Sequence, residues 1–457
     1  MIFILDIILL FNIILAYRKF KVIVAPPVLL GGGMLIASLV ATTYYEEWEM
    51  GEMLLESVLI LGGNTCLFTF VCYFIKGNSR VKWGSVEKDF FRHLRINLVY
   101  RFTVFLVLLG MFCCIMKMKS YMAYYGTFFD YSELINEVRS DTWEGNKGFS
   151  MPRYIIWISF VENFYSYFSA WILSYLILEK KEKKIQFLLL LQYVVLIVSG
   201  GIEGAKGLMF EPICRFGVTF ILLFYYKKKS FSLPKKFVMI AISVFLTVMF
   251  SFSFISNIIG RDHGVLEGNE LFAIYIGGEI KNFDIYMHGN DGNPPNKVWG
   301  ENTFFILYKE FHPKYKNAMG NLNFQGIGTH PLGNVYTQFY SFHKDFGIFG
   351  TIVMTILIAA LSMFFYKKSL YRIAKSASPN IYSFIYITMS FHIFMSFFSC
   401  KFCENILQVH FCKVVLCLGV CLFIFNQLFY SKTNRIQRTI IKESEYEREN
   451  LSLLPQA

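Results

Sequence analysis

Long apolar runs recur along the whole chain, and they leave few folds open. Eleven stretches, roughly 1–17, 24–45, 52–75, 96–116, 154–178, 185–199, 208–226, 237–257, 346–366, 380–399 and 407–430, are apolar over most or all of the length that a helix needs to cross a bilayer. The first and the sixth are the shortest. None alternates with period two, as the strands of a membrane barrel do. In lipid every backbone amide and carbonyl must be satisfied internally, so spans without that alternation are helices. The expectation is an all-α polytopic integral membrane protein with about eleven transmembrane helices. Composition agrees: 55% hydrophobic residues, with 50 Phe in a chain of 457, is more apolar surface than a soluble domain of this length can bury.

The net charge of +12 reads as topology, because Lys and Arg fall in short clusters between the apolar runs. With the N-terminus placed outside, 27 of the 44 Lys and Arg lie in inner segments, 14 in outer segments and three within spans. The inner segments are also the shorter ones, where positive charge governs orientation most strongly. The chain then divides into a bundle over 1–257 with an outer loop at 117–153, a large outer loop at 258–345, further spans over 346–430, and a cytoplasmic tail at 431–457. The first 17 residues lack a basic start and a small-residue cleavage site, so they are expected to stay as a span. No nucleic-acid motif is present, and no nucleic-acid partner is expected. Most of the ten Cys lie in apolar runs and serve as packing residues. Cys400 and Cys403 form a single CxxC near His392 and His410, which falls short of a metal motif. Neither a metal nor another cofactor is expected.

Four places carry chemistry. The turn Ser199-Gly-Gly-Ile-Glu203-Gly-Ala-Lys206-Gly207 sits at the outer boundary, where glycine amides and the Lys206 ammonium suit a phosphate headgroup. The bland alternative is a tight helical hairpin with a snorkelling lysine. Glu211 and Arg215 share one helix face four residues apart, either as a substrate contact or as a structural ion pair. Gly260-Arg261 follows the eighth run, where a guanidinium can grip a pyrophosphate or simply anchor the helix. The large loop gathers aromatics, amides, carboxylates and five of the eight His, a mixture that suits sugars. A structureless segment of that length is improbable, so short helices are expected there, one near Thr303–Phe311.

These segments, in order, resemble the bacterial O-antigen and capsule oligosaccharide repeat-unit polymerases, the Wzy-type family. The match runs from Gly204-Ala-Lys206-Gly207 through Gly260-Arg261 and Tyr275–Asp284 to Gly300-Glu-Asn-Thr-Phe304. It ends at Asn334-Val-Tyr336-Thr337 and Asp345-Phe-Gly347. It is sharpest over about 195–352, and Lys206 stands where the family usually has Arg. The resemblance implies a metal-independent membrane glycosyltransferase similar to other enzymes of lipid-linked sugars (GT-C-like), in the bacterial plasma membrane. Its substrate would be an undecaprenyl-pyrophosphate-linked oligosaccharide, and a flippase and a chain-length regulator of the same pathway would be partners besides membrane lipid. Lys206, Arg261 and Arg215 would hold the pyrophosphate, and Glu279, Asn334 and Tyr336 would contact substrate. His330 would be the base, since histidine titrates near neutrality. Asp345 is the second choice, although it is also placed to cap the helix opened by Phe346-Gly347.

A flippase needs charges lining a central cavity and no long outer loop. A ligase shares the architecture and differs only in acceptor. A membrane acyltransferase needs an intramembrane His, for which only His392 and His410 are placed. The topology has a direct check. Single Cys at Ser79, Glu182, Ser230 and Ser376 should be shielded from an impermeant thiol reagent in intact cells, and Cys at Asn146, Asn290 and Asn317 should be labelled; the opposite pattern would invert the chain.

Overall fold

The computed structural model describes residues 1–76, 94–126, 133–135, 137–138, 149–204, 206–231, 268–311 and 322–429. The expected span 237–257, the residue Arg261 and the tail 431–457 lie outside the described residues. Long helices fill the expected positions: α1 (Ile2–Phe20), α2 (Pro26–Thr43), α3 (Leu55–Lys76), α4 (Ile96–Tyr125), α5 (Arg153–Glu179), α6 (Lys183–Ile202) and α7 (Lys206–Lys228). The large loop holds α8 (Gly268–Ile276), α9 (Gly278–Met287) and α10 (Phe305–Phe311). Then come α11 (Gln338–Ser376), α12 (Ile381–Phe394), α13 (Lys401–Ile406) and α14 (Val409–Phe429). Among the described residues, seven helices (α2, α3, α4, α6, α7, α11 and α14) are long and apolar enough to cross a membrane, which makes this a multi-pass helical membrane protein. The other three fall short for visible reasons. Helix α1 carries Asp6, Arg18 and Lys19, α5 is rich in hydroxyl, amide and carboxyl side chains, and α12 has only 14 residues.

Spanning helices that follow one another in sequence through short turns run in opposite directions, so the bundle has a basic end and a loop-bearing end. At the basic end Lys367 donates to the Ile75 carbonyl (3.0 Å), and Lys227 pairs with Glu179 (2.9 Å). Polar groups that the helices carry inward find partners. Thr103 meets the Tyr165 hydroxyl and Tyr167 meets Thr388, each at 2.7 Å, and the Trp171 indole N–H donates to the Ala377 carbonyl (2.7 Å). In α1, Asp6 accepts from Ser38 (2.6 Å) and Thr42 (2.8 Å) of α2, which explains how a carboxylate survives there.

The loop departs from expectation in two ways. Besides its short helices it contains an antiparallel hairpin, β1 (Gln325–Ile327) with β2 (His330–Gly333), too short for its alternation to register in sequence. The span expected to begin at 346 is instead the second part of α11, broken at Gly347 (φ 65°, ψ −166°). Only glycine adopts that conformation without strain. A Cβ on Gly350 would lie 1.9 Å from the Phe346 Cβ, so the bend needs both glycines.

One carboxylate fastens the loop to the bundle. Asp284 of α9 is fully buried and accepts from the Leu54 amide (2.9 Å) and the Ser57 hydroxyl (2.7 Å) at the start of α3. Lys281 lies 3.6 Å from its other oxygen and donates to the Glu49 carbonyl (3.0 Å). Removing the carboxylate strands a buried ammonium and two donors. Asp284→Ala should therefore cost about 3 kcal/mol or more, read as a lowered thermal midpoint of the detergent-solubilised protein; an unchanged midpoint would show that α9 is held elsewhere.

Candidate functional site

The described residues of segment 268–345 bring several of the singled-out residues to the loop-bearing end. His330 stands on β2, and its Nδ1 lies 3.2 Å from Oε1 of Glu270 on α8. A carboxylate at Nδ1 favours the tautomer that leaves Nε2 with a free lone pair. His330 is 37% exposed, so that nitrogen can meet a ligand arriving from outside. This is the geometry of a general base with its orienting acid.

Asp345 has different work. Its carboxylate accepts from the amides of Asn302 (3.1 Å) and Thr303 (2.6 Å) and from the side chains of Asn296 (2.8 Å) and Asn302 (2.8 Å). These four donors engage its lone pairs, and they come from the 296–303 segment rather than from the helix that follows Gly347. The expected cap of that helix is therefore a knot across the loop, because the φ of Gly347 points the chain away. Tyr336 is buried and stacks on Tyr340, with ring centroids 4.1 Å apart; its hydroxyl accepts from Asn293 (3.0 Å). Asn293 also reaches Asp291 (2.8 Å), which accepts from Tyr340 (3.3 Å) and lies 3.7 Å from Lys344. Burial raises the phenol pKa of Tyr336, and burial with Asp291 and Asp345 nearby pushes that of Tyr286 up to about 12. Both remain neutral donors at physiological pH. Asn334 occupies the bend after β2 and is half-buried. Glu279 opens α9 and is fully buried, with neither carboxyl oxygen hydrogen-bonded among the described residues. Burial raises its pKa well above the usual carboxylate range, and it lies inside the fold rather than at a surface that substrate can touch.

The glycine turn is a tight helical hairpin. Gly200 and Gly201 are helical, and Gly204 (φ 66°) makes the reversal, its amide donating to the Gly201 carbonyl (2.9 Å). The α6 backbone approaches α7 so closely that a Cβ on Gly200 would lie 3.0 Å from the Leu208 carbonyl carbon. Lys206 opens α7, but its side chain lies outside the described residues. Arg215 is buried, and both of its terminal nitrogens are engaged. It pairs with Glu211 (2.7 Å), donates to Asn163 Oδ1 (2.8 Å) and to Ser166, and lies 3.8 Å from the Tyr167 ring centre, while its Nε has no partner among the described residues. At 2% exposure it stiffens the site from beneath and presents little surface to a phosphate.

Beside the hairpin lies a cleft of about 500 Å³ formed by the loop-bearing ends of α4, α5, α6, α7 and α14. Its polar lining includes Lys117, Ser199, Glu203, Asn163, Glu211 and His410. The large loop reaches its rim, where Glu310 at the end of α10 accepts from the Val409 amide (3.3 Å), next to His410. Sequence reading missed Lys117 and Glu270. The apolar run of α4 was expected to end at 116, but the helix continues to Tyr125, and nothing local links residue 270 to residue 330. The chain matches no protein-family model, and no curated protein and no solved structure is significantly similar to it.

The Asp345 knot yields a measurement of its own. Asp345→Ala should accelerate hydrogen exchange at the Asn302 and Thr303 amides by about tenfold or more, the effect of losing a buried charged acceptor; unchanged protection there would mean that the segment is held by other contacts.

Proposed function

We propose that this protein is an oligosaccharide repeat-unit polymerase of the Wzy type, acting at the outer face of a bacterial plasma membrane. It would transfer a growing glycan from undecaprenyl pyrophosphate onto the non-reducing sugar of a fresh lipid-linked unit. The observation that carries the reading is the His330–Glu270 pair, an oriented base in the outer loop of a membrane protein whose bundle end also holds a polar-lined cleft of about 500 Å³. The motif order over 195–352 supports it, as does the segregation of basic residues to the opposite end, which favours an outside N-terminus and loop.

The chemistry asks little more. The acceptor hydroxyl gives its proton to Nε2 of His330, and its oxygen bonds to the anomeric carbon of the donor as positive charge builds on the sugar ring. The bond from that carbon to the pyrophosphate breaks, and the pyrophosphate keeps the electron pair. Positive charge stabilises such a leaving group better than a proton donor would, which is the part given to Lys206 and Arg261. Arg215 supports the floor through Glu211 and Asn163.

Deletion in the native host, with gel analysis of surface glycan, tests the activity. Glycan reduced to one repeat is the expected result; complete loss of lipid-linked units from the outer face would instead indicate a flippase and overturn the proposal. At normal expression, His330→Ala should lower turnover by about 10²-fold or more, and Glu270→Gln should lower it while leaving lipid-linked substrate binding intact. Full-length ladders from both variants would remove this pair from the reaction.

A further inference from the structure

The cleft beside the glycine hairpin has a construction that the loop chemistry does not use. Lys117 projects from the extension of α4 and is 3% exposed. Its ammonium donates to the Ser199 hydroxyl (2.8 Å) and to the Glu203 carboxylate, and Glu203 is itself 35% exposed. The cation is thus buried under a carboxylate that stands at the surface of the cleft. Three helices, α5, α7 and α14, begin at this cleft, so the positive ends of three peptide dipoles converge on it. Its other carboxylate, Glu211, is neutralised by Arg215. On one side the wall is apolar, and Ile156 (42% exposed) and Leu208 (44% exposed) belong both to the cleft and to the outer surface of the bundle, beside Trp157 (69% exposed).

A pocket with a buried cation, converging helix N-termini and one wall continuous with the lipid-facing surface suits an anion carried on a hydrocarbon chain. We infer that this cleft binds the phosphate headgroup of a polyprenyl-type lipid, with Lys117 exchanging Glu203 for the phosphate when the lipid enters. The ion pair acts as a stopper. It satisfies the buried ammonium while the site is vacant, and a ligand phosphate displaces the carboxylate because it offers more acceptor oxygens and more charge. The polyprenyl nature of the lipid and its role as donor or acceptor of glycan rest on the polymerase reading; the lysine-dependent lipid-phosphate site does not.

The test is calorimetric titration of the purified full-length protein in nanodiscs of neutral lipid, with empty nanodiscs as blank. The probes are farnesyl pyrophosphate, farnesol and inorganic pyrophosphate. Farnesyl pyrophosphate should bind more tightly than either fragment. Lys117→Met should weaken it by about tenfold or more, and Lys117→Arg should retain most of the affinity. Glu203→Gln removes the competing carboxylate and should tighten binding several-fold, an effect that disappears in the Lys117→Met background. Circular dichroism checks that each variant is folded, and Lys117→Arg keeps the test decisive if Lys117→Met fails to insert. Wild-type affinity in Lys117→Met, or lost affinity in a folded Lys117→Arg, overturns the inference. Unchanged or weaker binding in Glu203→Gln removes the exchange. Equal affinity for inorganic pyrophosphate would assign the cleft to a soluble anion. Because binding is read without glycan synthesis, a lysine-dependent site that survives normal surface glycan in the deletion strain would sink the polymerase reading alone.

Discussion

Polar groups carried into an apolar medium must satisfy one another, and much of this structure follows from that requirement. Four helices of the bundle bring Lys117, Glu203, Glu162, Glu211 and Arg215 to the same end, and each has a polar neighbour from another helix or the next turn. Arg215 alone joins α7 to α5 through Asn163 and Ser166 and stacks on Tyr167. Deleting the carboxylate of Glu203 or Glu211 would leave a buried cation, Lys117 or Arg215, without its counter-charge, which is far more costly than the pair is stabilising. The cleft is consequently framed by residues that cannot vary independently.

The same logic fastens the segment between α7 and the Gly347 bend. Asp284 binds α9 to the start of α3, and Asp345 gathers the 296–303 segment under the end of the outer half of α11. Asp345 is an acid that reads in sequence as a possible reactant. In the fold both acids are acceptors for backbone amides, and what remains chemically free is His330 with its partner Glu270. Burial separates the two classes: a fully covered carboxylate that accepts several donors organises the loop, while a half-exposed imidazole with one occupied nitrogen can act on something outside.

Much of the fold was legible because lipid imposes a simple length rule. Apart from 237–257, each expected span falls on a helix, and the short helix anticipated near Thr303–Phe311 is present at Phe305–Phe311. The bend at Gly347, the hairpin at 325–333 and the extension of α4 were not legible. The first depends on one dihedral angle, the second on three or four residues, and the third on a helix that keeps its hydrogen bonds after hydropathy has fallen. The site was legible only in part. Glycine at 200–207 marked a close approach of two helices rather than a cradle of free amides, since tight packing and anion binding favour the same residue. Pairs such as His330–Glu270 and Lys117–Glu203 are separated by 60 and 86 residues, beyond any local pattern.

Gly347 divides α11 into an outer piece that belongs to the loop and an inner piece that belongs to the bundle. The outer piece carries Tyr340 and Lys344 and ends at Asp345, and the inner piece lies along α3. Each piece is fixed to its own neighbours, so the joint between them tolerates a change of angle without loosening either side. The surface that carries His330 thus rests on a different piece of chain from the helix that lies along α3, and the two meet at a single joint. Diversification of that surface, by insertion or replacement in the exposed stretch that holds α10, can proceed while the membrane scaffold stays as it is.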